Sequence, residues 1–226
     1  MRQTALAGAR LYLCTPVRPS FGRVLDAVLA PPGVDLVQVR DKTIEWRDEV
    51  LALATARAAA AAVWSAGPPA GGWPGPLVSA NDRADLAVAT GVDILHVGQD
   101  DIPPAVARRF VGPDVLIGLS THDPDQLRAA IVDPDVDYFC VGPVWATPTK
   151  AGRAPVGLDL PRLAAEWAPP FNPGAKPWFV TGGVGEDTLD DVLATGARRV
   201  VVVRGITGAS DPAAASASLG RRLRSA

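Results

Sequence analysis

Short apolar runs rich in β-branched residues recur along the whole chain, at Leu11–Cys14, Val34–Val39, Leu77–Ser79, Ile94–Val97, Val115–Leu119, Tyr138–Val141, Trp178–Val180 and Val200–Val203. Each has the length and composition of a buried strand. Between them lie Ala-, Leu- and Arg-rich stretches with helical spacing, at Phe21–Leu29, Glu45–Trp64, Arg83–Thr90, Ile102–Phe110, Pro124–Ile131, Asp159–Trp167, Asp187–Thr195 and Pro212–Leu223. Asp82, Asp123 before Pro124 and Asp211 before Pro212 read as helix starts, and Gly91 and Gly196 as helix ends. Strict βα alternation implies a parallel sheet. Eight units in a chain of this length predict an α/β fold, a single-domain (β/α)8 TIM barrel over residues 1–226, with the last few residues expected to fray. An open doubly wound sheet usually has about five or six strands and a Gly-rich loop after the first; here the first run ends Cys14-Thr15-Pro16. No internal repeat is evident. The Pro/Gly-rich connections 67–76 and 168–177 fall between a helix and the next strand, on the face opposite a barrel's active site, and read as tolerated length variation.

Composition narrows the functional classes. With 22 basic and 24 acidic residues among 226, the chain has no electrostatic footprint for nucleic acid. No stretch approaches the roughly 20 apolar residues of a membrane span, and the N-terminus lacks a signal-peptide core. A cytoplasmic, soluble protein with neither nucleic-acid nor membrane partners is expected; homo-oligomer formation is left open. Cys14 and Cys140 have no metal or CxxC spacing and read as buried packing residues. Only three lysines occur, Lys42, Lys150 and Lys176, so two of them at strand ends carry weight.

In a barrel, chemistry collects at the C-terminal strand ends. Gln38, Arg40 and Lys42 alternate along the second strand, so an extended chain points them to one side, into the mouth. A cationic pair beside an amide suits an anionic group attached to a hydrogen-bonding ring. The third and fourth strands end in Asn81-Asp82 and Asp100-Asp101, and neighbouring carboxylates near a polyphosphate suit Mg²⁺; taken singly, each Asp is equally a helix cap. Ser120 ends the fifth strand. Thr147, Thr149 and Lys150 lie on a long loop after the sixth, suited to clasp a phosphate and close as a lid. Gly183 and the Val203-Arg204-Gly205 run end the seventh and eighth strands, where barrels often bind phosphate. His96 and His122 have neither triad nor metal spacing and read as structural hydrogen-bonding groups. Trp145 is placed to cover a ring.

The ordered set QVRDK, NDRADLA, ILHVGQDD, GLSTH, VGPVWATPTK, TGGV and the strand before Arg204 resembles the thiamine-phosphate synthase family over nearly the whole chain. The resemblance implies a (β/α)8 barrel and a transferase. It would join hydroxymethylpyrimidine diphosphate to a thiazole phosphate, or its carboxylated form, releasing pyrophosphate. It implies that Gln38, Arg40, Lys42, Asn81, Ser120 and Lys150 bind the pyrimidine diphosphate, with Arg40, Lys42, Lys150 and Ser120 as the catalytic set. Asp82 and Asp101 would hold Mg²⁺, and Thr147, Thr149, Gly183, Val203 and Arg204 the thiazole phosphate. Arg204 stands where many members carry Ser. A tautomerase-like paralogue or a non-catalytic thiazole-phosphate sensor on the same fold is the alternative; neither would need the diphosphate and metal residues.

Overall fold

The computed structural model describes residues 2–66, 75–147 and 154–226. Eight parallel strands close into a barrel in sequence order: β1 (Leu11–Thr15), β2 (Leu36–Val39), β3 (Leu77–Asn81), β4 (Ile94–Val97), β5 (Leu116–Thr121), β6 (Tyr138–Val141), β7 (Trp178–Val180) and β8 (Val200–Val202). Around them run α2 (Phe21–Val28), α3 (Trp46–Ser65), α4 (Ala84–Thr90), α5 (Pro104–Val111), α6 (Pro124–Val132), α7 (Asp159–Trp167), α8 (Leu189–Leu193) and α10 (Pro212–Ser225). Two helices were absent from the sequence pattern: α1 (Arg2–Gly8) before the first strand and the single turn α9 (Arg204–Thr207) after the last. The loop 67–76 lies outside the described residues except for its last two. No described helix is long and apolar enough to cross a membrane.

Alternation along each strand divides the core in two. Val37, Val39, Leu95, Ile117, Phe139 and Val180 face the helices. Leu36, Leu77, Ile94, Leu116, Tyr138 and Phe179 face inward, closed from below by Ala5, Leu6 and Ala9 around α1. Higher on the inward side the residues become polar: Gln38, Ser79 and His96, one step of alternation up, and Ser120, two steps up, are all buried. The interior is thus an apolar floor beneath a polar mouth. Cys14 and Cys140 are both buried within the inward-facing core and form no disulfide with each other.

The helix ends follow the sequence in part. Asp123 and Asp211 accept from the Gln126 and Ala214 amides as side-chain N-caps. Gly91 closes α4 in the left-handed conformation. Gly196 also has positive φ but sits beyond the end of α8, which stops at Leu193 with Ala194 as its cap. α10 runs to Ser225, with Leu219 and Leu223 fully buried.

A positional repeat emerges that the sequence reading missed. Val34-Asp35, Val92-Asp93 and Val136-Asp137 immediately precede β2, β4 and β6. Each aspartate reaches back to the start of the preceding strand. Asp35 accepts from the Leu11 and Arg10 amides (2.8 and 2.7 Å), Asp93 from Val78 (3.0 Å) and Asp137 from Ile117 (2.8 Å). Each also meets an arginine: Arg224 on Asp35, Arg2 on Asp93 at 2.8 Å and Arg108 on Asp137 at 2.7 Å. The matching position before β8 is Arg199. Its guanidinium donates to the Ala9 and Ala7 carbonyls (3.0 and 2.8 Å) at the end of α1. Burial, then the neighbouring Arg10, lowers its pKa to about 10, so it stays charged at neutral pH. Phe171 lies under both cations, 4.1 Å from Arg199 and 4.5 Å from Arg10. The connection 168–177 is therefore more than spare length.

Removing the buried Asp35 carboxylate leaves the Leu11 and Arg10 amides without their acceptor and takes one partner from Arg224. Asp35→Ala is expected to lower the unfolding free energy by about 3 kcal/mol in urea denaturation. Arg224→Ala should cost clearly less, because Asp35 keeps the Leu11 and Arg10 amides as donors. Equal losses in the two variants would contradict this division.

Candidate active site

A cavity of about 740 Å³ opens at the C-terminal ends of the strands. Every described residue of the expected site lines it: Gln38, Arg40, Lys42, Asn81, Asp82, Asp101, Ser120, Thr147, Gly183, Val203 and Arg204. Thr149 and Lys150 lie outside the described residues, as does the loop read as a lid from 148 onward. Asp100, His96, His122, Tyr12 and the Thr181–Gly185 turn also line the cavity. Inward parity was the signal for Tyr12 and His96, each an even number of positions from a neighbouring inward residue. Trp145 does not line the cavity; it packs beside the outer core, its Cβ 2.9 Å from where a Cβ on Gly183 would stand. Gly183 also has φ +78°, so position 183 excludes a side chain on both counts.

Gln38 carries the most direct sign of a ligand. Its Nε2 is the one buried side-chain nitrogen or oxygen without a hydrogen-bond partner among the described residues, and it belongs to a side chain lining the cavity. A buried amide donor left unpaired costs about 1–3 kcal/mol, which a ligand acceptor would recover.

The acidic side of the mouth is built differently from helix capping. Asp82 has φ +60°, a left-handed conformation that Asp tolerates better than most residues. The N-cap position of α4 is Arg83, which caps with no side-chain bond, and that of α5 is Pro103. The capping alternative for Asp82, Asp100 and Asp101 is therefore overturned. Asp101 instead accepts from the Gly98 amide (2.8 Å), which holds it on the turn after β4. The Asp82 and Asp101 carboxyl groups meet, and Lys42 Nζ stands 3.5 Å from Asp82 Oδ2. Burial raises the Asp82 pKa most, followed by the hydrogen bond and charge of Asp101; Lys42 and Arg40 pull the other way. Two acidic side chains this close are stabilised by a proton or another positive charge between them.

The histidines are hydrogen-bonded as expected, and both border the cavity. His122 donates from Nδ1 to the Gly142 carbonyl. His96 bridges Tyr138 Oη (2.9 Å from Nδ1) and Ser120 Oγ (3.0 Å from Nε2).

A closed (β/α)8 barrel with cations, a carboxylate pair and an unpartnered amide around one mouth is the architecture of an enzyme for anionic small molecules. The family model for thiamine monophosphate synthase matches residues 11–206, and the chain belongs to the thiamine-phosphate synthase family. It is 49% identical over 227 residues to the thiamine-phosphate synthase of Acidothermus cellulolyticus, covering 99% of both chains. It is 50% identical over 222 residues to that of Thermobifida fusca, covering 96% of this chain and 94% of the relative. Among solved structures, thiamine phosphate pyrophosphorylase from Pyrococcus furiosus superposes with TM-score 0.79 at 24% identity, over 97% of this chain and 98% of that one. A 3-hexulose-6-phosphate synthase from Salmonella typhimurium shares the barrel at TM-score 0.64 and 19% identity, over 96% and 99%. These two structural likenesses speak for the fold.

The raised Asp82 pKa has a signed consequence. The folded protein holds the Asp82 proton to higher pH than the unfolded chain does. Stability therefore falls as pH rises from the ordinary carboxylate value through the raised one. In EDTA, Asp82→Asn, which suits the same backbone conformation, is expected to melt above the wild type at pH 7 and to lose that advantage in acid. Calorimetry at both pH values checks it; an advantage that is absent at pH 7 would contradict the assignment.

Proposed function

We propose that the mouth joins hydroxymethylpyrimidine diphosphate to 4-methyl-5-hydroxyethylthiazole phosphate, giving thiamine phosphate and pyrophosphate; from the carboxylated thiazole phosphate the same joining also releases carbon dioxide, with a proton taken up at the ring carbon it leaves. The observation that carries this reading is the meeting of the Asp82–Asp101 pair with Arg40 and Lys42 on the cavity where Gln38 Nε2 lacks a partner. Family membership supports a transferase; the roles below are this chain's own residues fitted to that reaction.

The aminopyrimidine sits against Gln38, whose Nε2 donates to a ring nitrogen, with Asn81 beside it. Arg40 and Lys42 face the diphosphate from the cavity wall, and Lys150 is assigned to it by the family motif. The carbon–oxygen bond to the diphosphate breaks, and its electron pair leaves with the oxygen. The electron-rich pyrimidine carries the cation formed at the exocyclic carbon. The thiazole nitrogen then donates its lone pair to that carbon. No proton is lost in either step and no protein nucleophile is needed. The protein's contribution is to hold the two rings in line and neutralise the leaving group. Thr147, Thr149, Gly183, Val203 and Arg204 hold the thiazole phosphate; Arg204 brings a guanidinium fork to that end.

Asp82 and Asp101 fit Mg²⁺. Among the described residues no group of three or more His, Cys, Asp or Glu side chains forms a protein-only metal cage. Two carboxylates leave positions for water and diphosphate oxygens, the ligand set Mg²⁺ favours. The ion would supply charge neutralisation for the departing diphosphate.

Purified protein given both substrates and Mg²⁺ is expected to release pyrophosphate with thiamine phosphate as coproduct, and to release none in EDTA or with either substrate alone. Asp82→Ala should lower Mg²⁺-dependent turnover about 10²- to 10³-fold with the fold intact by circular dichroism. Gln38→Glu, which swaps a donor for an acceptor, should weaken binding of the pyrimidine diphosphate roughly 10- to 100-fold in calorimetry while leaving thiazole phosphate binding unchanged. Thiazole phosphate bound with no release of pyrophosphate would instead favour the tautomerase-like or sensor reading.

A further inference from the structure

A chain of four buried polar side chains crosses the barrel interior beneath the mouth. Tyr12 Oη on β1 lies 3.3 Å from Tyr138 Oη on β6. Tyr138 Oη lies 2.9 Å from His96 Nδ1 on β4, and His96 Nε2 lies 3.0 Å from Ser120 Oγ on β5. Both phenols are fully enclosed, and burial raises each pKa well above the ordinary value, so both keep their protons. The path needs Gly118: a Cβ there would stand 2.1 Å from Tyr138 Cζ. The inward position of β5 below Ser120 is thus left empty so that the phenol can reach His96.

The chain has a direction. Among the described residues the Tyr12 hydroxyl has one hydrogen-bond partner, Tyr138 Oη. A buried O–H must donate, so Tyr12 donates to Tyr138. Ser79, the other hydroxyl facing Tyr138, already donates to the Ala80 carbonyl (3.2 Å). Tyr138 then has two acceptors in reach, Ser79 Oγ and His96 Nδ1 (2.9 Å), of which the imidazole nitrogen is the stronger base and takes the proton's hydrogen bond. A neutral imidazole that accepts at Nδ1 carries its proton on Nε2 and donates it to Ser120 Oγ. The Ser120 proton is left to point into the cavity.

We propose that Tyr12, Tyr138 and His96 form a relay that holds the Ser120 hydroxyl as a hydrogen-bond donor to the substrate, making Tyr138 and His96 positioning residues for the reaction. This rests on the synthase reading, in which the departing diphosphate oxygen gains negative charge. A donor aimed at that oxygen gains strength as the bond breaks. With the opposite polarity, Ser120 would spend its proton on His96 and turn only lone pairs towards an anion.

The chain has two histidines, so imidazole ¹⁵N spectra of the free protein are readily assigned by the signals that vanish in His96→Gln. His96 is expected to be neutral with its proton on Nε2, and Tyr138→Phe to abolish that preference. In turnover, Tyr138→Phe should lower kcat roughly 10- to 100-fold with little change in KM. The loss should disappear when Tyr138→Phe is made in a Ser120→Ala background, because the relay then has nothing to direct. An Nδ1-protonated or doubly protonated His96 in the wild type would overturn the proposal. So would a Tyr138→Phe loss that persists without Ser120, or no loss at all. Wild-type protein that makes no thiamine phosphate would sink the synthase reading, and the spectrum would still decide the direction of the relay.

Discussion

Strand register is the constraint on which the rest of this molecule depends. The strands are three to six residues long, and each inward side chain differs from an outward one by a single position. A slip of one residue would turn Gln38, His96 and Ser120 into the helix layer and bring Val37, Leu95 and Leu119 into the mouth. Short ladders give few hydrogen bonds with which to resist this. The aspartates before β2, β4 and β6 add to them by fastening one strand's start to its neighbour's first amides. These carboxylates sit at the floor, yet what they hold in place is the chemistry at the opposite end.

The mouth is electrically divided. Arg40 and Lys42 stand on β2's side, and Asp82 and Asp101 on the turns after β3 and β4. The chain's small net charge therefore hides a strong local separation. Lys42 lies close enough to Asp82 to soften it, but burial and Asp101 still win. An arrangement of this kind suits a ligand that brings both anionic oxygens and a counter-ion. The unpartnered amide of Gln38 adds a directional element where the charges give none.

Much of this was legible in the sequence because alternation and periodicity are local. The eight strand–helix units, the inward phase of Gln38, Arg40 and Lys42, and the gathering of Asp82, Asp101, Ser120 and Gly183 all follow from counting residues along strands. What was missed is non-local. Helix α1 is seven residues of mostly small side chains, too short to carry a helical signal of its own. It forms because Leu6 closes the barrel floor and Arg199 satisfies its last carbonyls. The aspartates before β2, β4 and β6 looked like ordinary loop polarity, since their partners lie 15 to 25 positions away. Asp82 looked like a helix cap because its left-handed backbone is not encoded in residue type alone. His96 was readable as a hydrogen-bonding residue; its place between Tyr138 and Ser120 required three strands to be brought side by side.

The aspartate fastenings also divide the chain. They bind β1 to β2, β3 to β4 and β5 to β6, whereas no such carboxylate joins β2 to β3, β4 to β5 or β6 to β7 among the described residues. The two long Pro/Gly-rich connections, 67–76 and 168–177, fall at two of those unfastened seams. The barrel thus divides into two-strand cassettes, and the two long connections lie where one cassette meets the next. A chain cut at residue 70 would keep every fastening within a fragment except the arginine contacts that reach across. Co-expressed halves from such a cut are natural candidates for spontaneous reassembly, and the same seams are where cassettes from related barrels could be exchanged with least disturbance to the mouth.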